Sequence, residues 1–368
     1  MSISNVDSIK GANGFQCEKS EQDWKTLTRY DAPSNQQEKI CRVANNLILG
    51  VALYGAYSYY TGPIGLVSYA GMALAARKLA STTIGYLVYP AALTSVHYLC
   101  DDYLQKLGNR RLDALKQEGY VANKISIYKS GTRYDAALIG HSSTINNGKW
   151  TIEALGNGMA MEFIIDDLPK ENFKNQSNTL LINGPSVGAS GGWPTRYQLG
   201  AGFEAGIDLL EREVKATHII MRGLSLGGGM MAEAILNHDF TEGKKREVRY
   251  LSISDRTFSK LSTIAGNLVG RVVEPVFYLT GTELDGVGAA KKLSDLNIRH
   301  IVIQHNSHNA QGSDYVIPDS ASLAHKLHQE GDLKNKVFLE SDRITHNSSL
   351  PLNIERDLAQ EISRFFQT

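Results

Sequence analysis

One stretch decides the fold, and it reads His218-Ile219-Ile220-Met221-Arg222-Gly223-Leu224-Ser225-Leu226-Gly227-Gly228-Gly229-Met230-Met231. It opens with an apolar run typical of a buried strand and closes on residues that favour a helix. Glycines at positions 223 and 227 leave room for a sharp turn around Ser225. The pattern predicts a strand, a tight turn and a helix, with a candidate nucleophilic serine at the turn. A plain glycine-rich turn or an anion-binding junction is the alternative, but no Gly-Lys-Ser/Thr pattern supports phosphate binding.

A second Gly-x-Ser-x-Gly motif reads Gly188-Ala189-Ser190-Gly191-Gly192. Ser190 comes several residues after its predicted strand, and the motif continues into Trp193-Pro194, which indicates a loop. A nucleophile elbow needs a strand that ends just before the serine and a helix that starts just after it. Ser225 meets that requirement and Ser190 does not.

On both sides of Ser225 in the sequence, short apolar runs typical of strands alternate with segments that have a helical pattern. Strands are predicted near residues 125–128, 135–139, 150–155, 179–183, 217–222, 248–253, 299–304 and 336–339. This alternation indicates a mostly parallel central sheet flanked by helices. Together with the elbow it predicts an α/β-hydrolase fold for residues 123–368.

The composition narrows the class of function. Lys and Arg together number 38 and balance 38 Asp and Glu, without a basic block that could follow phosphates, so nucleic acid is not an expected partner. The 3 cysteines lack the spacing of a zinc site or a disulfide framework. We expect no metal and no cofactor. Residues 1–42 form a polar segment without the pattern of a cleaved secretory signal.

Residues 43–100 are unusually apolar. Neither Val43 to Ala76 nor Leu79 to Cys100 contains Asp, Glu, Lys or Arg, and either run is long enough to cross a bilayer core. We expect a hydrophobic helical hairpin that either associates with a membrane or packs on the catalytic domain. Residues 101–122 are predicted to be a connecting helix, with Leu104, Leu107, Leu112 and Leu115 on its apolar side.

An acyl-transfer site also needs donors for the oxyanion of the tetrahedral intermediate. The backbone N–H of Leu226, directly after Ser225, is one candidate. The other should come from the loop after the third strand, here Leu155-Gly156-Asn157-Gly158, where Asn157 is our choice. An ordinary Gly- and Asn-rich turn is the alternative for that loop.

The acid and the base should follow the serine in the order Asp or Glu and then His. Asp314 and His346 form one candidate pair, because each lies in a loop beyond a later strand and His346 precedes the last amphipathic helix. The alternative pair is Asp285, after the apolar run 276–279, with His305 or His308. The first pair is favoured because, with the second pair, no catalytic residue would follow the last predicted strand.

These motifs, in this order and joined by Asn183-Gly184-Pro185-Ser186-Val187-Gly188 and His346-Asn347-Ser348, resemble the chlamydial CHLPS-type proteins and the lipase-like SidB-type effectors of Legionella. The resemblance covers about residues 100–368 and implies that Ser225 is the nucleophile and His346 the base. Leu155-Gly156 departs from the usual His-Gly oxyanion signature. The resemblance is also compatible with delivery of the protein into a host cell.

The sequence therefore predicts a serine hydrolase of a carboxylic ester or thioester, with a lipid or an acylated molecule as substrate, that is membrane-associated or cytoplasmic. An acyltransferase and a membrane-anchored binding module without catalysis are the alternatives. The apolar segment 258–292 is expected either to cap an acyl-binding cleft or to complete the core.

Overall fold

The computed structural model describes residues 24–33, 66–89, 98–157, 159–306, 312–331 and 333–367. In this part of the chain nine strands form one sheet in the order β1-β2-β3-β5-β4-β6-β7-β8-β9. The strands are β1 (Arg29–Asp31), β2 (Tyr120–Lys129), β3 (Thr132–His141), β4 (Lys149–Ala154), β5 (Asn178–Ile182), β6 (His218–Leu224), β7 (Arg249–Asp255), β8 (Arg299–His305) and β9 (Lys336–Ser341).

The sheet is mixed but mostly parallel. Strand β3 runs antiparallel to both of its neighbours, β2 and β5, whereas β5, β4 and β6 to β9 all run parallel to one another, and β1 is parallel to β2. Strand β5 is buried along its whole length, as is usual for a parallel strand covered on both faces. The predicted α/β class is confirmed.

Helices cover both faces of this sheet. They are α1 (Leu66–Val88), α2 (Tyr98–Gln117), α3 (Leu168–Lys174), α4 (Arg196–Arg212), α5 (Leu226–Asn237), α6 (Phe240–Lys245), α7 (Leu261–Val269), α8 (Glu274–Thr280), α9 (Gly286–Asp295), α10 (Leu323–Gln329) and α11 (Leu352–Gln367). Successive side chains of β6 point to opposite faces, so Met221 packs in one cluster with α4 and α5, and Ile220 packs in another with α11. Ser225 follows β6 in the middle of the sheet.

Of the predicted hydrophobic hairpin 43–100, the structure describes residues 66–89 and 98–100. The C-terminal end of α1 packs closely on the α/β core: a Cβ atom on Gly85 would lie 1.9 Å from the carbonyl oxygen of Pro194. Tyr89, just after α1, is buried against Gly184. Among the described residues, no helix combines the length and the apolar character needed to cross a bilayer. The rest of the predicted hairpin lies outside the described residues.

Helix α2 covers most of the predicted connecting helix 101–122, but it ends at Gln117 and the chain enters β2 at Tyr120. Leu104, Leu112 and Leu115 are buried and Leu107 is half-buried. The apolar run 276–279, which precedes the alternative acid Asp285, forms helix α8 and not a strand. Because that run begins just after Glu274-Pro275 and ends before Gly281, it has the flanks of a short helix.

Candidate active site

A sharp turn places Ser225 between β6 and α5. Its backbone has φ 54° and ψ −121°, a conformation that costs a residue other than glycine about 1–3 kcal/mol. Three hydrogen bonds hold the turn. The Ser225 N–H donates to the Asp255 carbonyl at 2.9 Å, and the Ser225 carbonyl accepts from Thr257 Oγ1 at 2.7 Å and from the Gly228 N–H at 3.0 Å. The predicted strand, tight turn and helix are therefore present, and the turn is held by the end of β7, the loop after β7 and the first turn of α5.

The glycine at position 227 allows α5 to start close to the sheet. A Cβ atom there would lie 2.0 Å from the carbonyl oxygen of Ala154, which ends β4. Since backbone cannot move away as a flexible side chain can, a larger residue would push α5 off the sheet. Gly227 thus sets the distance between the Ser225 turn and the loop after β4.

The side chains of Ser225, His346 and Asp314 form a continuous chain of hydrogen bonds. His346 Nε2 lies 2.8 Å from Ser225 Oγ, and His346 Nδ1 lies 2.7 Å from Asp314 Oδ2. The backbone N–H of His346 also donates to the Asp314 carbonyl at 2.9 Å. Such a chain lets the imidazole accept the hydroxyl proton while the carboxylate fixes the orientation of the ring.

The Asp314 carboxyl is completely buried next to His346. Its Oδ1 accepts hydrogen bonds from the N–H groups of Val316 at 2.9 Å and Ile317 at 2.6 Å. Burial opposes ionisation, but the hydrogen bond to His346 and these two N–H groups outweigh it and lower the pKa of Asp314 below its usual value. Asp314 is therefore an anion at neutral pH.

Arg256 holds the loop that carries His346, a role that the sequence reasoning missed. Its Nη1 donates to the carbonyl oxygens of Thr345 at 2.9 Å and Ser348 at 2.7 Å, on either side of His346. The guanidinium is itself held by Asp255, with 2.7 Å between Nε and Oδ1. In the sequence, the only indication of this role was the charged pair Asp255-Arg256 at the carboxyl end of the buried strand β7.

Leu226 and Asn157, the predicted oxyanion donors, both border the cavity that contains Ser225 and His346. Leu226 is the first residue of α5, so its N–H has no acceptor within the helix. Asn157 follows β4, the strand next to β6 in the sheet. Gly158, in the same loop, lies outside the described residues.

The alternative site residues lie in other surroundings. Asp285 caps helix α9, where Oδ1 accepts from the Gly288 N–H at 2.9 Å. His305 Nδ1 lies 2.8 Å from Asp319 Oδ1. His308 lies outside the described residues.

Ser190, in the second Gly-x-Ser-x-Gly motif, is buried and serves the loop in which it lies. Its Oγ accepts from the Asp135 N–H at 2.8 Å and donates to the Asn183 carbonyl at 3.2 Å. Both hydrogen bonds join Ser190 to backbone atoms and therefore stabilise the loop.

The cavity above Ser225 has a volume of about 690 Å³. Its polar side chains are those of Ser225, His346, Asn157 and Asn347, and the other lining residues are apolar or glycine. Pockets that bind small molecules commonly combine apolar walls with a few polar groups at fixed positions. The arrangement suits a ligand with a reactive polar group attached to an apolar body.

One group of potential metal ligands is close-packed in the described part of the chain, namely Glu204, Asp208 and His238. The ammonium group of Lys129 already lies 3.3 Å from Glu204 Oε1 and 3.7 Å from Asp208 Oδ2. A buried cation therefore compensates these carboxylates, and the group is separate from the cavity at Ser225.

Solved structures with a similar fold include hydrolases and esterases. A hydrolase of Vibrio vulnificus superposes with a TM-score of 0.54 at 15% identity, covering 70% of this chain and 85% of the other. The Pf2001 esterase of Pyrococcus furiosus matches with a TM-score of 0.47 at 13% identity, covering 68% and 92%. An esterase of Rhizomucor miehei gives 0.46 at 14% identity, covering 72% and 90%. The match to the Vibrio vulnificus hydrolase supports the α/β fold described above.

Sequence comparison gives one family. The model of the Chlamydia CHLPS protein family (DUF818) matches residues 79–367. No curated protein matches the sequence.

Proposed function

Since this chain belongs to the Chlamydia CHLPS protein family (DUF818), and since Ser225, His346 and Asp314 are joined by hydrogen bonds on an α/β-hydrolase sheet, we propose that it is a serine hydrolase. Its substrate is a carboxylic ester or thioester. The observation that carries the proposal is the pair of contacts at the imidazole, 2.8 Å to Ser225 Oγ and 2.7 Å to Asp314 Oδ2.

In the proposed reaction, His346 Nε2 takes the proton of Ser225 Oγ as the oxygen attacks the acyl carbonyl carbon. The tetrahedral intermediate collapses, the bond to the leaving alcohol or thiol breaks, and the leaving group takes the proton from His346. An acyl-enzyme on Ser225 remains. Water, deprotonated by the same imidazole, attacks the acyl-enzyme, and the carboxylic acid leaves with Ser225 restored.

Asp314 contributes by its charge and its position. Its carboxylate keeps the proton of the neutral imidazole on Nδ1, so that Nε2 faces Ser225 as a base, and it stabilises the imidazolium that forms. The N–H groups of Leu226 and Asn157 are the proposed donors to the oxyanion, because both residues border the cavity next to Ser225.

The test is labelling of the full-length chain with a fluorophosphonate probe, which reacts with activated serines. We expect the wild type and Ser190→Ala to be labelled and Ser225→Ala to remain unlabelled. Ser190→Ala is the matched control because it alters the other Gly-x-Ser-x-Gly motif. A folded wild type that takes up no probe would contradict hydrolysis and favour a binding module without catalysis. Release of the acyl group to water or to an added alcohol would separate a hydrolase from an acyltransferase.

A further inference from the structure

We propose that helix α1, which lies between strands β1 and β2 in the chain, is one wall of an acyl-binding pocket, and that this pocket selects esters of extended acyl chains over acetyl esters. The proposal rests on the serine hydrolase activity proposed above and names the substrate class of the same site.

The cavity has three apolar walls. Helix α1 provides the first, with Ile84, Leu87 and Val88. The loop after β4 and the loop of Asp314 provide the second, with Met159, Val316 and Ile317. The third is the largest and comes from the segment after β7, with Phe258, Leu261, Ile264, Ala265, Val273, Val276 and Phe277. Of the segment 258–292, the part up to Phe277 thus lines the cleft, whereas Leu284, Val287 and Ala290 pack in core clusters.

The position of α1 is fixed by contacts outside the cavity. Its residue Gly85 touches the backbone of Pro194, and the ring of Tyr86 meets that of Trp193 edge to face, with 6.4 Å between the ring centroids. Near its middle, Arg77 approaches Gly281 at the end of α8. Because these contacts hold α1 against both the core and the segment that lines the cleft, the wall is formed before a ligand enters.

The shape of the cavity predicts how rate depends on chain length. The volume of about 690 Å³ is that of a pocket for a whole small molecule, and an acetyl group attached to Ser225 would leave most of it unfilled. Each methylene that enters apolar surroundings should raise kcat/KM about 4-fold until the chain reaches the end of the cavity. Ile84 of α1 and Ala265 of α7 both line this cavity, so a chain that fills it is expected to contact both helices.

The experiment compares p-nitrophenyl acetate, butyrate, octanoate and dodecanoate with the full-length chain and two variants. Ile84→Trp narrows the cavity from the α1 side. Thr83→Trp is the matched control, because Thr83 is the exposed neighbour of Ile84 and does not line the cavity. We expect kcat/KM of the wild type to rise with chain length. Ile84→Trp should lower it about 10-fold or more for octanoate and by a clearly smaller factor for acetate, whereas Thr83→Trp should change neither.

A second measurement does not depend on catalysis. Dansylamino-undecanoic acid, a fluorescent fatty acid, should bind to Ser225→Ala and bind about 10-fold more weakly when Ile84→Trp is added. Failure of this probe to bind, a wild type fastest on acetate, or an Ile84→Trp variant that loses acetate and octanoate activity equally would each overturn the acyl pocket. Failure of the serine hydrolase proposal would give a different result from failure of the acyl pocket. In that case no ester would be cleaved and the fluorophosphonate would label nothing.

Discussion

A single corner of the molecule positions both the nucleophile and the base. The end of β7 and the loop after it bind the strained Ser225 backbone through the Asp255 carbonyl and Thr257 Oγ1, respectively. The same loop supplies Arg256, which binds the carbonyls on both sides of His346. The Ser225 turn and the His346 loop are therefore both held by residues outside the hydrogen-bonded chain of Ser225, His346 and Asp314.

The single substitution Asp314→Asn tests the proposed role of Asp314 as the acidic partner of His346. An amide can donate a hydrogen bond to Nδ1, which would leave the proton on Nε2 and remove the base that faces Ser225. We expect kcat for an ester that the wild type cleaves to fall about 10⁴-fold while KM stays close to that of the wild type.

The matched control for that change is Asp285→Asn. Asparagine caps helices about as well as aspartate, so the cap of α9 should survive and activity should stay at the wild-type level. If Asp285→Asn were the variant that lost activity, the acid would have to be reassigned.

The sequence was informative about the residues that act in the proposed chemistry and silent about those that support them. Ser225, Asp314 and His346 could be picked out because their order and their positions after strands follow from the requirements of acyl transfer. Arg256 could not be picked out, because its bonds to Thr345 and Ser348 join positions 89 and 92 residues away in the chain. Hydrogen bonds of that range leave no periodic signal in a single sequence.

At the scale of the elements, strand β8 contains a buried histidine that should make the fold sensitive to acid. His300 is almost fully buried, and its Nε2 lies 2.9 Å from Ser254 Oγ on β7. Burial lowers the pKa of His300 to about 4, from an ordinary value of 6.5. Between pH 6.5 and about pH 4, His300 therefore binds a proton in the unfolded chain but not in the folded chain.

The sign of the pH effect follows from this difference. Between pH 6.5 and pH 4 the free energy of unfolding should fall as the pH falls, by up to about 3 kcal/mol from this one group. Urea unfolding at pH 7 and pH 4.5 would measure the loss. His300→Gln should lose less stability over the same interval, and an equal loss in both proteins would mean that His300 is not the cause.

Element boundaries were predictable where many residues repeat a pattern. Eight strands lie close to their predicted positions, whereas β1, only three residues long, has no alternation to detect. The helix α8 did leave a signal, since Pro275 lies in its first turn and Gly281 adopts a left-handed conformation with φ 69° at its end. Strand order and the docking of α1 depend on contacts between distant segments.

Across the whole molecule, the cavity opens between exposed apolar side chains. Leu87 of α1, Val276 of α8 and Val316 line the cavity and yet are 77%, 42% and 46% exposed. Leu79 and Leu279 lie on α1 and α8 and are 70% and 73% exposed. We name these five residues the rim. Large exposed apolar side chains on two helices that line one cavity make these helices a candidate surface for binding lipid or protein.

We propose that the rim contacts a membrane, which is one of the two alternatives that the apolar character of residues 43–100 leaves open. Exposed Arg77 and Lys78 precede Leu79, and exposed Arg271 lies near α8, which favours an anionic lipid surface. A site that opens at such a surface would receive an acyl chain directly from the lipid phase. We therefore expect the full-length chain to sediment with vesicles of phosphatidylserine and phosphatidylcholine.

The variant that tests the rim is Leu79→Glu with Leu279→Glu, which should weaken vesicle binding about 100-fold, because two leucines no longer enter the lipid and two negative charges approach it. Leu352→Glu is the matched control, since Leu352 is 84% exposed at the start of α11 and outside the cavity lining. Equal weakening by both variants would indicate a general charge effect. Binding unchanged by the double substitution would rule out the rim and assign the contact to residues 43–65, whose sequence contains no charged side chain.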